Sequence, residues 1–272
     1  MKNFLFIMSM VMVLSSLTPA FSQTNLPQTE LDTITSDIPT NWWDSGWDEI
    51  GDLKAFITKY PNKPSLCAKA QYYIGCYYYS IREYAKAIDS YRTLIDAYPT
   101  VTPECSKAQF EIAQVYLNCL DNPKQAITEY QKLIQNYPKN STTPMAQLMI
   151  GRAYLKQKNM ARAKVELQKV ISNYPWAQRQ SVEAYCDLGD VALQESKTKE
   201  AISYYKKAYS ICPLSESNTL QWVMDKIYQG VRTLDGSLAR ANQFVKYQKY
   251  GPYGEDKLQG TKDDLQDPLA EF

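Results

Sequence analysis

The sequence predicts an all-α solenoid of antiparallel helical hairpins, and three observations carry that expectation. A short phrase recurs on a fixed step: AQYYIG from Ala70, AQFEIA from Ala108, AQLMIG from Ala146 and AYCDLG from Ala184, each 38 residues after the one before. A tyrosine-proline pair follows later in each unit, at Tyr60-Pro61, Tyr98-Pro99, Tyr137-Pro138 and Tyr174-Pro175. Cys212-Pro213 keeps the same register, so the prolines step by 38, 39, 37 and 38. An alanine between those markers returns at Ala87, Ala126, Ala163 and Ala201. Self-similarity on such a period is the mark of stacked supersecondary units, and the one-residue differences read as variation in loop length.

Within a unit the apolar spacing is helical. Ala70, Ile74, Tyr77, Tyr78 and Ile81 recur at three and four residues, and after a break at Ile81 to Glu83 so do Ala87, Ile88, Tyr91, Leu94 and Ile95. Two antiparallel helices, A and B, joined by a tight turn are implied. The proline ends helix B, because it has no N–H to donate and disfavours helix at the residue before it. Gly75, Ala113, Gly151 and Gly189 place a small residue where helix A approaches its partner, and the four recurring alanines answer from helix B.

The ends follow from the same logic. Residues 47–61 align with helix B of the next unit, Ile50 with Ile88 and Leu53 with Tyr91, and read as an unpaired half repeat. Full repeats span 62–99, 100–138, 139–175 and 176–213. Stacked units bury their faces only against neighbours and need atypical ends, so 214–250 reads as a degenerate hairpin and cap. The polar, turn-rich 251–272 reads as a flexible tail. At the start, Lys2, the apolar run Phe4 to Leu14 and the small residues Ala20 and Ser22 predict a signal peptide over 1–22, cleaved after Ser22. The run is shorter than the roughly 20 residues of a membrane span. The first cysteine is Cys67, far from the cleavage point, so an exported, non-lipidated protein is expected. Residues 23–46 read as a linker leading into a tryptophan-rich segment. Trp42, Trp43 and Trp47 are expected to anchor on the open apolar face of the half repeat.

The sets Ile74-Gly75-Tyr78-Ala87-Tyr91-Pro99, Ile112-Ala113-Tyr116-Ala126-Tyr130-Pro138, Ile150-Gly151-Tyr154-Ala163-Leu167-Pro175 and Leu188-Gly189-Ala192-Ala201-Tyr205-Pro213 resemble the tetratricopeptide repeat (TPR) family over residues 47–213. The resemblance implies a TPR-type solenoid, a right-handed superhelix with A helices lining its concave face, and a non-enzymatic interaction scaffold. Two features depart from the pattern. The period exceeds the usual length of about 34 residues, and the tryptophan-like position of helix A holds Gln71, Gln109, Gln147 or Tyr185. The longer period ending in Tyr-Pro is similar to an exported bacterial subgroup that includes the outer-membrane assembly lipoprotein BamD and the periplasmic Tol-Pal coordinator. That likeness implies the periplasm of a Gram-negative bacterium, a role in envelope assembly or maintenance, and a protein or peptide partner there. Peripheral association with an outer-membrane complex is compatible with it.

Composition narrows the chemistry. The chain has no histidine, which removes Ser-His and Cys-His catalysis and histidine-based zinc sites. A net charge of +1 leaves no broad footprint for nucleic acid. No catalytic residue, cofactor or metal is expected. Cys67 and Cys105 lie one repeat apart, further than the reach of a disulfide, about 7 Å between Cα atoms. Cys76, Cys119 and Cys186 read as small apolar fillers, and mostly free, buried thiols are expected. Asn140-Ser141-Thr142 is an acceptor sequon. A carboxylate glycosidase would need a facing acid pair, for which Glu183 and Asp190 are candidates, but solvated charges are the commoner reading.

Seven tyrosines crowd the segment QYYIGCYYYSIREYAKAIDSY from Gln71 to Tyr91. Tyr78 and Tyr91 take packing positions of the repeat, and Tyr73, Tyr77 and Tyr84 line its edges. Tyr72 and Tyr79 fall on the face of helix A expected to be concave. That face continues as Lys69, Tyr72, Cys76 and Tyr79, then Lys107, Phe110, Gln114 and Leu117. Met145, Leu148, Arg152 and Leu155 follow, then Glu183, Cys186, Asp190 and Leu193. An apolar stripe edged by charge suits a groove for a peptide or helix. Two alternatives stay open: Tyr72, Tyr79 and Phe110 stacking on a glycan or small ligand, or the stripe packing on itself or on the N-terminal segment.

Overall fold

A computed structural model describes residues 26–36 and 49–212, with 219, 222, 223 and 225–227. The expected signal peptide, Trp42, Trp43, Trp47, most of the 214–250 cap and the 251–272 tail lie outside the described residues. Every regular element among the described residues is helical. They form stacked antiparallel hairpins, grouped into two compact units, residues 1–111 and 112–272.

In the first unit, α1 (Leu26–Ser36), α2 (Glu49–Lys59), α3 (Pro64–Ser80) and α4 (Tyr84–Ala97) lead into α5, which starts at Thr102 and runs to Gln114. The segment expected to be a linker thus carries a helix, with a proline in its first turn. Leu31 of α1 is buried in one cluster with Leu53, Phe56, Ala70 and Ile74. The Lys59 ammonium donates to Glu30 at 2.8 Å and the Tyr60 hydroxyl at 2.6 Å. The stretch read as an unpaired half repeat therefore has a helix A partner after all, supplied by α1. Next along the chain, α3 pairs with α4, and Gly75 lets the Tyr91 ring close against the α3 backbone.

In the second unit α5 ends in a π-helical turn, Val115–Cys119, followed by α6 (Pro123–Asn136), α7 (Thr143–Lys156), α8 (Met160–Asn173), α9 (Gln178–Gln194) and α10 (Thr198–Ile211). The π turn answers a detail of the repeat arithmetic. Twelve residues carry Gly75 to Ala87, Gly151 to Ala163 and Gly189 to Ala201, but thirteen carry Ala113 to Ala126. The extra residue sits in the helix as a single π bulge, with Leu120 N–H bonded to Val115 O at 3.0 Å, and not in a loop as expected. At the far end Val223 and Ile227, one helical turn apart, are buried with Val182, Cys186, Ile202 and Tyr205, so residues of the predicted cap cover the apolar side of the last full repeat.

Each A–B turn among the described residues uses one residue with positive φ: Arg82 (64°), Asp121 (46°), Lys158 (58°) and Ser196 (60°). In the first, Arg82 N–H bonds Tyr79 O and Glu83 N–H bonds Tyr78 O, which satisfies the last carbonyls of α3 in a Schellman arrangement. The B helices stop at Tyr98, Tyr137 and Tyr174, whose backbone leaves the helical region before each proline. Their carbonyls then accept from Val101, Asn140 and Ala177 N–H at 2.9, 3.0 and 2.9 Å, which starts the next A helix. All six cysteines are unbridged.

Candidate functional site: a cleft on the helix A face

In the first unit α1, α3 and α5 present the same face of three successive A helices. Between them lies a cleft of about 290 Å³, lined by Gln28, Leu31 and Asp32 from α1, Lys69, Tyr72 and Tyr73 from α3, and Glu104 and Lys107 from α5. Lys69, Tyr72 and Lys107, singled out from the sequence, are brought together here. The α1 residues and Glu104 were missed, the former because 23–46 was read as a linker. Gln28 donates to Asp32 at 2.5 Å across one helical turn. Neither Lys69 nor Lys107 makes a hydrogen bond or ion pair among the described residues.

Tyr72 is fixed from behind. Its ring packs against Tyr91 at 5.6 Å and edge-on to Tyr73 at 6.2 Å, and its hydroxyl donates to Glu111 Oε1 at 3.3 Å. The Tyr91 hydroxyl donates to Cys76 Sγ at 3.5 Å. Burial holds the Glu111 carboxyl above the ordinary carboxylate range, against the opposing pull of the Tyr72 hydrogen bond. Burial likewise raises the Tyr72 phenol and the Cys76 thiol, so all three favour their neutral forms. Cys76 is thus half-buried behind the cleft and not on its lining. Tyr79 is 42% exposed, tilted against Tyr84 at 5.9 Å, and lies outside the lining of the cleft. Phe110 is half-buried.

The corresponding face of the second unit is self-satisfied. Gln114 accepts from Asn118. Leu117 and Leu148 are buried, Leu148 among Leu167, Val170, Ala184 and Leu188, so these two are packing residues where an open groove was expected. The reason is geometric: their side chains turn into the stack. Leu155 is half-buried. Lys156 donates to Leu117 O at 2.7 Å. Arg152 pairs with Asp187 at 2.7 Å and Glu183 at 3.0 Å. Burial pushes the Asp187 carboxyl up against that pairing. Asp190 accepts from the Tyr205 hydroxyl at 2.7 Å and from Lys226 at 2.6 Å. Glu183 and Asp190 are therefore each tied to a cation, an arrangement unlike a poised acid pair. Among the described residues no group of acids and cysteines has metal-site geometry.

Two family profiles, both described as tetratricopeptide repeat, match the chain: one at residues 69–100, 107–140 and 145–175, the other at 182–213. With the stacked hairpins above, these matches show TPR repeats within residues 69–213, a fold of protein-interaction scaffolds. No curated protein matches it in sequence. Solved structures share the fold at low identity. PilW, a widely conserved type IV pilus biogenesis factor, superposes with a TM-score of 0.54 at 16% identity over 85% of this chain and 96% of PilW. BtubC (BKLC) from P. vanneervenii gives 0.56 at 9% identity over 82% of this chain and 92% of its own. The apo form of RapI gives 0.63 at 15% identity over 93% and 71%. Among the described residues no helix is long and apolar enough to cross a membrane.

Proposed function

We propose that the protein is a non-enzymatic scaffold of the bacterial envelope that holds a segment of a partner protein in the cleft between α1, α3 and α5. The observation that carries this reading is the pair Lys69 and Lys107: two ammonium groups one repeat apart, both on the cleft wall, neither paired among the described residues. Asp32 and Glu104 line the same cleft. The segment it suits is an extended or helical one bearing both signs of charge, with an apolar or aromatic residue to meet Leu31, Tyr72 and Tyr73. Export to the periplasm without a lipid anchor rests on the leader read from residues 1–22, and an envelope role rests on that export.

The test is site-specific photocrosslinking in the native envelope, with the reactive residue at position 69, 72 or 107 and, as control, at exposed Arg92 on α4. One partner trapped from the three cleft positions and not from 92 supports the reading. Equal labelling from all four, or none, removes it.

A further inference from the structure

Three repeats use one side chain in the same way. Cys67, Cys105 and Thr143 stand 38 residues apart, and each donates to the carbonyl of the tyrosine that ends the preceding B helix: Tyr60 at 3.1 Å, Tyr98 at 3.1 Å and Tyr137 at 2.7 Å. Ser181 is the fourth in the series. It is only 5% exposed, its backbone N–H is spent on Ala177, and its hydroxyl makes no hydrogen bond among the described residues. That hydroxyl reaches solvent and is left to bond water or a ligand.

That hydroxyl lines the wall of a cavity of about 520 Å³ within the second unit, between the end of α8, α9 and the end of α10. The other walls are Trp176, Pro175, Tyr185, Ile171, Ile211 and the amide of Gln178, and among the described residues no charged side chain contributes. Trp176 is 61% exposed, the most open of the large apolar side chains among the described residues, and stands edge-on to Tyr174 at 6.3 Å. Gln178 Nε2 donates to Ile211 O at 2.6 Å, which fixes the amide and leaves its oxygen as an acceptor. A flat exposed indole, aliphatic walls, one acceptor and one unused hydroxyl make an uncharged site with a few placed polar groups, the usual form of a small-ligand pocket.

We propose that this cavity binds a neutral saccharide, one ring stacked on the Trp176 indole and its hydroxyls bonded to Ser181 Oγ and Gln178 Oε1. A sugar ring offers a C–H face and a hydroxyl edge together, which is what the two kinds of wall require. An apolar peptide anchor would cover the indole but strip solvent from the Ser181 hydroxyl without replacing its bond, and a charged one would find no counter-ion among the described residues. The site is independent of the α1–α3–α5 cleft.

Titration calorimetry of the full chain with N,N′-diacetylchitobiose, cellobiose and maltose tests it. Saturable binding of at least one disaccharide is expected, weakened about tenfold or more in Trp176→Ala and about two- to tenfold in Ser181→Ala. Trp176→Tyr, which keeps a ring, should retain most of the affinity, and all three variants should melt with the parent. Absence of saturation by all three sugars at millimolar concentration, or equal binding by Trp176→Ala, overturns the proposal. So does a protein cross-link from position 176 without any sugar binding, which would make the cavity a peptide site.

Discussion

The ring of Tyr205 fills the space that a side chain at Gly189 would need: a Cβ there would lie 2.3 Å from Cε1 of the ring. The ring has no room to retreat, because its hydroxyl is bonded to Asp190 at 2.7 Å. Gly75 and Tyr91 repeat the relationship, also at 2.3 Å. At Gly151 the partner is Leu167, whose Cδ2 would lie at 2.7 Å on a side chain able to change rotamer. Gly189→Ala and Gly75→Ala should each cost about 1–3 kcal/mol through overpacking, and Gly151→Ala less. Urea denaturation of the three variants gives the order, and an equal loss at all three would refute the argument from ring rigidity.

The A–B turns place Lys158 at φ 58°, a conformation that costs a residue with a Cβ about 1–2 kcal/mol and glycine almost nothing. Glycine's greater freedom in the unfolded chain takes back part of that difference. Lys158→Gly is therefore expected to stabilise by about 0.5–1 kcal/mol, while Lys158→Ala, which keeps the Cβ, should give no gain. Thermal melts of the two variants decide it.

Most of the fold was legible because repetition averages out local ambiguity: four copies of one phrase fix helix A, and five Tyr-Pro or Cys-Pro ends fix helix B. What stayed hidden had no second copy or no distinctive residue type. Helix α1 has no phrase in common with the repeats, so nothing in register announced it. The left-handed turn positions are filled by Arg82, Asp121, Lys158 and Ser196, where only glycine or asparagine would have signalled the geometry. The thirteenth residue between Ala113 and Ala126 was visible as arithmetic, but spacing alone does not tell a loop insertion from a π turn. At the cleft, helical periodicity placed Lys69, Tyr72 and Lys107 on one face. It could not separate an open position from one that faces the next helix, and so Leu117 and Leu148 looked available when they are buried.

Cys67 and Cys105 do the work that Thr143 does with a hydroxyl, and the chemistry sets two expectations. Cys105→Ser and Cys105→Thr should preserve stability, while Cys105→Val should lose about 0.5–1 kcal/mol with the hydrogen bond to Tyr98 O. Burial raises the thiols of Cys67, Cys76 and Cys186 above their ordinary value, with a hydrogen bond opposing it at Cys67 and Cys76. Their alkylation by iodoacetamide at neutral pH should accordingly be slow in the folded chain and fast in denaturant. Mass spectrometry of the native reaction would show early labelling of these three if the packing were loose.

Tyr72 and the two cleft lysines should separate stability from binding. Lys69→Glu with Lys107→Glu is expected to leave the unfolding free energy within about 0.5 kcal/mol of the parent and to weaken partner capture about tenfold or more. Tyr72→Ala should cost about 2–3 kcal/mol, because its ring is packed on Tyr91 and its hydroxyl serves Glu111. Tyr79→Ala, at an exposed site, should cost under about 0.5 kcal/mol. Chemical denaturation beside a crosslinking assay reads both axes, and a double-lysine variant that still captures its partner would displace the cleft from its assigned role.

Glu111 sets a pH dependence with a definite sign. Its carboxyl is held above the ordinary value of 4.5 in the folded chain, chiefly by burial. Between that value and the raised one the folded state binds more protons than the unfolded state, so stability falls as pH rises through this window. The opposite slope, typical of a carboxylate with a cation beside it, would need such a cation. What faces this carboxyl is the Tyr72 hydroxyl, with Cys76 and Tyr91 behind it, all favouring their neutral forms. Glu111→Gln keeps an acceptor for Tyr72 and removes the ionisation. The variant should match the parent near pH 4, exceed it in melting temperature at pH 7, and show a flatter profile between. A variant less stable than the parent at pH 7 would mean that the charged carboxylate is the form the fold selects.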